Sequence, residues 1–457
     1  MVYDSTLTHD HEMNDHLDIF GQQPFFTINT QICFCFCLTH TSSQTSIIQT
    51  LNEGLERLYA GFPWLACEVI NEGSGEDNTG IYKFKALAEP PRIILKDLSH
   101  DASIPHMGTL RQANFPIRML DENIIAPRKT FADTTESDIA PVFLIQANFI
   151  PGGLVLTFVA QHNTMDMTGQ AHIMHLFSKA CRNEPFTRED LSTGNLTRHN
   201  LVTLLDDTYT PGAELDRHMV KPNSFGSQSP PQKSTWAYFN FTRRSLTALK
   251  SRALEAVEPP RFISTDDALT AFIWQFVTRA RLPRLGPKAQ SSIARAVDVR
   301  KALGIPPKYP GPIQSSVYST FTLRSLVEEP LGRIALELRS ALDPNTSGLE
   351  FHSRAIATFL SRSQNKSLFS STATFDLSAD VILSSWAKEN CYDLDFNLGL
   401  GKPESVRRPQ FQAVEGLIFL MPKSLEGDIA VAVSLREEDM NRLRADSDFA
   451  NFGTYIG

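Results

Sequence analysis

The sequence predicts an α/β protein built from two halves. Strand-like apolar runs alternate with segments of helical periodicity along the 457-residue chain. A stretch rich in Pro, Ser and Gly with little periodicity, 206–234, separates the halves and indicates a surface crossover or linker. We therefore expect an N-terminal domain over 17–205 and a C-terminal domain over 235–457.

The first half carries two predicted helices and three predicted strands. Helical periodicity covers 43–60 and 167–182, and strand-like runs cover 24–38, 142–149 and 153–161. The last of these runs is apolar from Gly153 to Ala160, as in a buried strand.

The second half alternates in the same way. Its predicted helices lie at 244–257, 265–280, 329–342 and 350–361. Its predicted strands lie at 315–323, 380–386, 415–421 and 429–435.

Three cysteines support the first predicted strand. Cys33, Cys35 and Cys37 alternate with phenylalanines in QICFCFCL, so a strand places all three sulfurs on one face. Their spacing is not the C-x₂₋₄-C spacing of a zinc site, and we expect small buried apolar side chains. The remaining cysteines stand alone, which favours a reducing, cytoplasmic compartment without disulfides.

Composition and charge exclude several classes of protein. The 42% of hydrophobic residues is ordinary for a globular chain, and no apolar stretch of about 18 residues predicts a membrane span. A net charge of −8 disfavours nucleic acid as a partner. Residues 1–16 lack the apolar core of a secretory signal and are expected to form a disordered polar arm.

The segment QHNTMDMTG, 161–169, carries the first candidate site. It places His162 at the exit of a predicted strand, and Asp166 four residues later, before a predicted helix. A histidine of ordinary pKa about 6.5 can take a proton from a hydroxyl near neutral pH and return it later. The same two residues also fit a core histidine and a helix N-cap aspartate.

A second segment, SSWAKENCYDLDFNLGLGKPE at 384–404, favours the catalytic interpretation. Together with 161–169 it resembles the HxxxD and DFGWG signatures of the BAHD acyltransferases, which transfer acyl groups from coenzyme A to alcohols and amines. Further blocks resemble the fungal branch of that family, the trichothecene 3-O-acetyltransferases. They include FGQQPFFTINTQ, FPWLACEV, LDENIIAPRKT, FISTDDALTAFIW and ARAVDVRKALG, in order along the chain.

The resemblance implies a fold and an activity. The fold would be two chloramphenicol-acetyltransferase-like α/β domains packed face to face, with the histidine midway along a channel between them. The activity would be acetyl transfer from acetyl-CoA, a co-substrate rather than a bound cofactor, to a small hydrophobic alcohol. A monomer that needs no metal is expected.

The resemblance also assigns supporting residues. RAVDVR, 295–300, resembles the segment whose arginine holds the HxxxD aspartate, which makes Arg300 the expected partner of Asp166 and Arg295 the second choice. Asp395, Gly399 and Gly401 would organise a structural loop away from the histidine. That loop departs from the family because Asn397 replaces the first glycine, although Asn tolerates positive φ better than most residues.

Two groups of residues are candidates for coenzyme A contacts. Ser384, Ser385 and Trp386 lie in the segment where the family's pantetheine contacts fall, and Lys250 lies in the basic cluster 243–252. His172 and His175 are three residues apart on a predicted helix, but without a further ligand they indicate a helix face rather than a metal site.

The expected mechanism is direct attack in a ternary complex. A thioester is already activated, and the chain has no G-x-S-x-G elbow for a serine nucleophile. The leading acceptor is a trichothecene-like sesquiterpenoid alcohol. The alternatives are the same reaction on another alcohol or with another acyl-CoA, and a binding protein that keeps the fold without catalysis.

Overall fold

The computed structural model describes residues 16–39, 43–131, 139–220 and 233–457. The expected arm at 1–16 lies outside this part of the chain except for His16. Two mixed sheets with helices on them form the molecule, together with a hairpin of two short strands.

The helices and strands have the following bounds. The strands are β1 (Asn29–Cys37), β2 (Cys67–Glu72), β3 (Ile81–Ala86), β4 (Ile94–Asp97), β5 (Phe143–Ile150), β6 (Gly153–Gln161), β7 (Ser234–Phe241), β8 (Gln290–Asp298), β9 (Gln314–Thr322), β10 (Val381–Ser385), β11 (Ser405–Arg407), β12 (Leu417–Leu420), β13 (Ile429–Arg436) and β14 (Gly453–Tyr455). The α-helices are α1 (Gln44–Gly61), α2 (Met107–Gln112), α3 (Glu122–Ile125), α4 (Met167–Cys181), α5 (Arg188–Gly194), α6 (Arg243–Leu254), α7 (Thr265–Leu285), α8 (Leu323–Glu328), α9 (Leu331–Ser340), α10 (Leu349–Arg362), α11 (Glu437–Ala445) and α12 (Ser447–Ala450).

The first sheet has five strands in the order β11-β1-β6-β5-β4. Its centre is antiparallel: β1 pairs with β6 along its full length, from Asn29 opposite Gln161 to Cys37 opposite Gly153. At one edge β1 pairs with β11, which comes from the second half of the chain. A segment more than 360 residues later in sequence thus completes the sheet that carries β1.

The second sheet has seven strands in the order β14-β7-β13-β12-β10-β8-β9. Strands β12, β10 and β8 run parallel, and antiparallel neighbours lie on both sides of them. The long helix α7 packs against α6 and α9 on this sheet and is buried along most of its length. A core cluster with members from both sheets, including Phe34, Phe158, Tyr238 and Trp386, joins the two halves.

Most long predicted elements are present, and the exceptions have local causes. The strand predicted over 24–38 begins only at Asn29, because Pro24 starts a single 3₁₀ turn, Pro24–Phe26, that holds the chain out of the sheet. Strands β7 and β8 were not predicted from the sequence. Polar and small residues interrupt the apolar pattern of both, in STWAYFNF and QSSIARAVD.

The cysteine prediction holds for two of three residues. Cys33 and Cys35 are buried together in a cluster with Met107 and Leu110, on the face of β1 opposite Phe34. Cys37 is partly exposed at the strand end. All six cysteines are free thiols.

The crossover is packed in the part that the structure describes. Residues Ala213–His218 form a 3₁₀ helix in which Leu215 and His218 are buried. Arg362 on α10 donates to the carbonyl oxygens of Asp206 and Tyr209. None of the helices in the described residues combines the length and the apolar character that crossing a membrane requires.

The loop between β8 and β9 crosses closely over the start of α4. At Gly169 a Cβ atom would lie 2.7 Å from the carbonyl carbon of Pro310 and nearer still to its oxygen. Only hydrogen fits between the helix and the loop, so glycine is required there for steric reasons.

We expect Gly169→Ala to destabilise the protein by about 1–3 kcal/mol, because the added methyl forces the 298–313 loop away from α4. Urea denaturation measures the loss. Gly75→Ala is the control, since its Cβ meets nothing within 4 Å and its φ is not positive. Equal midpoints for the two variants would contradict the close approach.

Candidate active site

A cavity of about 470 Å³ lies where the two halves meet. Residues of both halves form its wall, among them Phe26, Thr130 and His162 from the first half and Trp386 and Phe419 from the second. Its size falls in the range of about 300–1,000 Å³ typical of small-molecule sites, and most of its wall is apolar.

His162 occupies the point where β6 ends. Its backbone N–H donates to the carbonyl of Ile28 at 2.8 Å, and Phe26 stacks on the imidazole with ring centroids 4.8 Å apart and an interplanar angle of 6°. Nδ1 is buried and has no hydrogen-bond partner among the described residues. The residue itself lines the cavity.

The electrostatic surroundings favour the neutral imidazole. Burial lowers the pKa of His162 below its ordinary 6.5, its own backbone and Asp166 raise it, and the positive charge of Arg408 lowers it further. A neutral imidazole at pH 7 can accept a proton from a hydroxyl group in the cavity.

Asp166 turns away from the imidazole. Its Oδ1 accepts from the Gly169 N–H at 2.8 Å, which caps α4, and from Arg300 Nη2 at 2.9 Å. Its Oδ2 accepts from the Ile313 N–H at 2.9 Å. The aspartate is thus both the helix cap and the arginine partner that sequence reasoning had left as alternatives.

Arg300 is the predicted partner, and it is almost fully buried. Its guanidinium also donates to Asp298 at 2.9 Å and to the carbonyls of Tyr309 and Gly311 at 2.9 and 2.6 Å. The two carboxylates raise its pKa. The second choice, Arg295, lies elsewhere and pairs with Asp267 at 3.5 Å.

The DFGWG-like loop lies at the far end of α4. The Asp395 carbonyl accepts from Ser178 Oγ and Arg182 Nη1, both at 2.7 Å, while its carboxylate accepts from the Asn397 N–H at 2.8 Å. Asn397 has φ +56°, and Gly399 and Gly401 both have φ +72°. Asparagine therefore adopts the left-handed conformation in place of glycine, and none of these residues lines the cavity.

The candidate coenzyme A residues separate into two groups. Ser384 and Trp386 line the cavity, and the indole N–H donates to Ser384 Oγ at 3.0 Å. Ser385 donates to Asp266 at 2.5 Å and does not line it. Lys250 is partly exposed on α6, also outside the cavity wall.

Two polar residues of the wall were missed by sequence reasoning. Arg408 is buried beside Phe411 and Phe419, and His218 is buried with its ring stacked on Phe369. Neither has a sequence signal, since Arg408 is one of a basic pair after a short strand and His218 lies in the crossover. His172 and His175 are neighbours on α4, but no three metal-ligating side chains group together in the described ranges.

A histidine that lines a mostly apolar cavity between two α/β halves, with its neighbouring aspartate held by an arginine, is an arrangement expected of a group-transfer enzyme. Residues 125–450 match the Transferase family, and residues 28–181 match the trichothecene 3-O-acetyltransferase-like N-terminal domain. The chain belongs to the Transferase family, the BAHD acyltransferases, and is an acyl-CoA-dependent O-acyltransferase.

Individual relatives cover nearly the whole chain. It is 52% identical over 455 residues to the O-acetyltransferase dmxR13 of Cryptosporiopsis sp., covering 98% of this chain and 99% of that protein. It is 46% identical to the trichothecene 3-O-acetyltransferase of Fusarium sporotrichioides, covering 96% and 97%. The crystal structure of F. graminearum TRI101 with coenzyme A and deoxynivalenol superposes with a TM-score of 0.93 at 42% identity, covering 97% of this chain and all of that one.

We expect Asp166→Asn and Arg300→Met each to cost about 3 kcal/mol or more of unfolding free energy. Arg300→Met leaves the buried Asp166 carboxylate without a cation, and Asp166→Asn leaves the buried guanidinium with only the partly exposed Asp298 as its anion. Asparagine can still cap α4 with its one oxygen, so the aspartate variant removes the charge together with the bond from the Ile313 N–H. The double variant should fall short of the sum by about 1–3 kcal/mol in denaturant unfolding.

Asp298→Asn is the matched control for this cycle. Asp298 binds the same guanidinium, but its side chain is 45% exposed, so its loss should cost far less. Strict additivity of the Asp166 and Arg300 changes would show that the two residues do not stabilise each other.

Proposed function

We propose that this protein transfers the acetyl group of acetyl-CoA to a hydroxyl of a trichothecene-like sesquiterpenoid. The observation that carries the proposal is the position of His162, which lines a mostly apolar cavity while its neighbour Asp166 is bound by Arg300. Relatives whose names specify trichothecene acetylation, and a related structure that holds coenzyme A and deoxynivalenol, support it.

His162 acts as the general base. Its Nε2 takes the hydroxyl proton as the oxygen attacks the thioester carbonyl carbon, forming the new C–O bond and a tetrahedral oxyanion. When the C–S bond breaks, the sulfur leaves as thiolate and receives the proton from the imidazolium. The proton taken from the hydroxyl is thus returned to the leaving sulfur. Because no enzyme nucleophile holds the acetyl group in between, both substrates are bound at the same time.

The remaining residues position this step. Arg300 and Asp166 fix the turn that presents the imidazole. Trp386 and Ser384 offer an aromatic face and a hydroxyl on which the pantetheine arm can lie. Asp395, Gly399 and Gly401 hold the loop behind α4. Acetyl-CoA is a co-substrate, and nothing in the chemistry calls for a metal.

The cavity wall suits a small hydrophobic alcohol. Phe20, Phe25 and Ile356 contribute to it, and its polar residues include His162, Arg408 and His218. We further propose that the enzyme works as a cytoplasmic monomer without nucleic-acid or membrane partners, consistent with its free cysteines and net charge of −8.

A second acceptor class is favoured by one comparison. The relative of 52% identity is named only as an O-acetyltransferase, although its identity to this chain exceeds that of the trichothecene enzyme at 46%. Another secondary-metabolite alcohol, or another acyl-CoA, is therefore the alternative. A binding protein without catalysis is disfavoured by the intact set of His162, Asp166 and Arg300.

We expect His162→Ala to lower turnover by about 10²–10⁴-fold with the fold intact, because the attacking hydroxyl loses its base. Product formation is followed by mass spectrometry with acetyl-CoA and a panel of trichothecenes and other fungal alcohols. His175→Ala, on the exposed side of α4, is the control and should keep full turnover. A fully active His162→Ala enzyme would reject the mechanism.

We expect kcat/KM to be flat around neutral pH and to fall at a pKa below 6.5, because burial and Arg408 lower the pKa of His162 and only the neutral ring accepts a proton. A pH profile measures this limb. Glu389 also titrates nearby, since burial raises its pKa to about 7, and it binds Thr168 outside the cavity. Glu389→Gln should therefore leave the acid limb in place. A limb that disappears in this variant would assign it to Glu389.

A further inference from the structure

Arg408 is a buried cation without a carboxylate partner in the described structure. Arg408 follows β11 and is 4% exposed, and it takes part in none of the ion pairs among the described residues. Its one side-chain hydrogen bond runs from Nη2 to the hydroxyl of Thr130 at 3.4 Å, and Nε is buried without a partner. Nη1 makes no hydrogen bond with the described residues, and Arg408 lines the cavity.

The adjacent arginine, Arg407, is also buried, but its guanidinium has several hydrogen-bond partners. Arg407 faces the other side of β11 and donates to the carbonyls of Val406, Phe115 and Asn114 and to the Tyr392 hydroxyl. Arg407 does not line the cavity. One arginine is satisfied by the protein, and its neighbour is left with capacity to donate.

Leaving Arg408 in this state costs stability. Burial lowers its pKa to about 10, because its surroundings do not fully replace water. The aromatic rings of Phe411 and Phe419 lie 4.4 and 4.6 Å from the guanidinium carbon and compensate only in part. A buried charged side chain with so few partners is expected at a site that binds a ligand.

The backbone and the hydroxyl that hold Arg408 are themselves fixed. Its N–H donates to the Tyr238 hydroxyl at 2.9 Å, and that hydroxyl donates to its carbonyl at 3.1 Å. The Thr130 N–H donates to buried Glu122 at 2.7 Å, which sets the threonine in place. The guanidinium is therefore preorganised, and it also lies over the ring of Trp386 at 5.5 Å.

We propose that Arg408 is a catalytic residue that donates a hydrogen bond to the thioester carbonyl oxygen and stabilises the oxyanion formed on it. The proposal rests on the proposed acetyl transfer and on the proposed contact of the pantetheine arm with Trp386. In the attack, the C=O π electrons move onto oxygen, where Arg408 meets the new negative charge, and they return when the C–S bond breaks. No proton leaves the guanidinium.

A preorganised charge aimed at a developing oxyanion lowers the barrier without strengthening substrate binding to the same extent. We therefore expect Arg408→Met to reduce kcat by about 10²–10³-fold with little change in either KM. Its thermal midpoint should stay the same or rise, because an apolar side chain of similar length replaces an unpaired buried charge. Arg408→Lys should restore part of kcat.

The pH profile supplies an independent readout. The charged groups that act on His162 are Asp166 and Arg408, and Glu122 and Tyr238 act on Arg408 in turn. Removing the guanidinium removes a repulsion from the imidazolium, so the pKa of His162 rises. The acid limb of kcat/KM should therefore move to higher pH in Arg408→Met.

Arg407→Met is the matched control, with Arg407→Lys used if it does not fold. Either should lose stability, because carbonyls are left unpaired, while the folded enzyme keeps its kcat. Three results for Arg408→Met would each overturn the proposal. They are a near-normal kcat, a change confined to the KM for the alcohol, and a loss of activity only in proportion to the loss of folded protein. His162→Ala measured alongside separates the two failures: if it is inactive while Arg408→Met is active, only the role of Arg408 falls.

Discussion

The contact on which the rest of this structure depends is the buried ion pair between Asp166 and Arg300. One carboxylate caps α4, accepts from the Ile313 backbone and binds the guanidinium, which in turn holds the carbonyls of Tyr309 and Gly311. The first half supplies the aspartate and the second half supplies the loop. The turn at His162 and the contact between the halves are therefore stabilised together, and Gly169 provides the space that their approach requires.

In this arrangement the carboxylate of Asp166 does not bind the imidazole of His162. The carboxylate nearest in sequence to the imidazole is fully used by other partners, so the imidazole stays neutral in its apolar setting. Two buried arginines then serve opposite purposes. Arg300 has carboxylates and carbonyls around it, and its charge stabilises the fold. Arg408 has aromatic rings around it, and its charge remains available to whatever enters the cavity.

The sequence was sufficient for features set by local patterns and insufficient for those set by packing. Continuous apolar runs located β5 and β6, and the spacing of His162 and Asp166 located the turn. Asn397 was expected to tolerate positive φ and has φ +56°. Strand β7 was missed because polar residues interrupt its apolar pattern, although it lies between two other strands. Arg408 was missed because its distinguishing property, burial without a carboxylate partner, exists only after residues distant in sequence have folded around it.

The edge strand β11 has a consequence for how the chain is made. During synthesis β1 emerges early, but the three residues that cover its edge, Ser405–Arg407, leave the ribosome last among the strands of that sheet. Until then β1 presents unpaired N–H and C=O groups within QICFCFC, an apolar sequence of the kind that pairs with other chains. The sheet of the first half is therefore completed only after most of the second half has been synthesised.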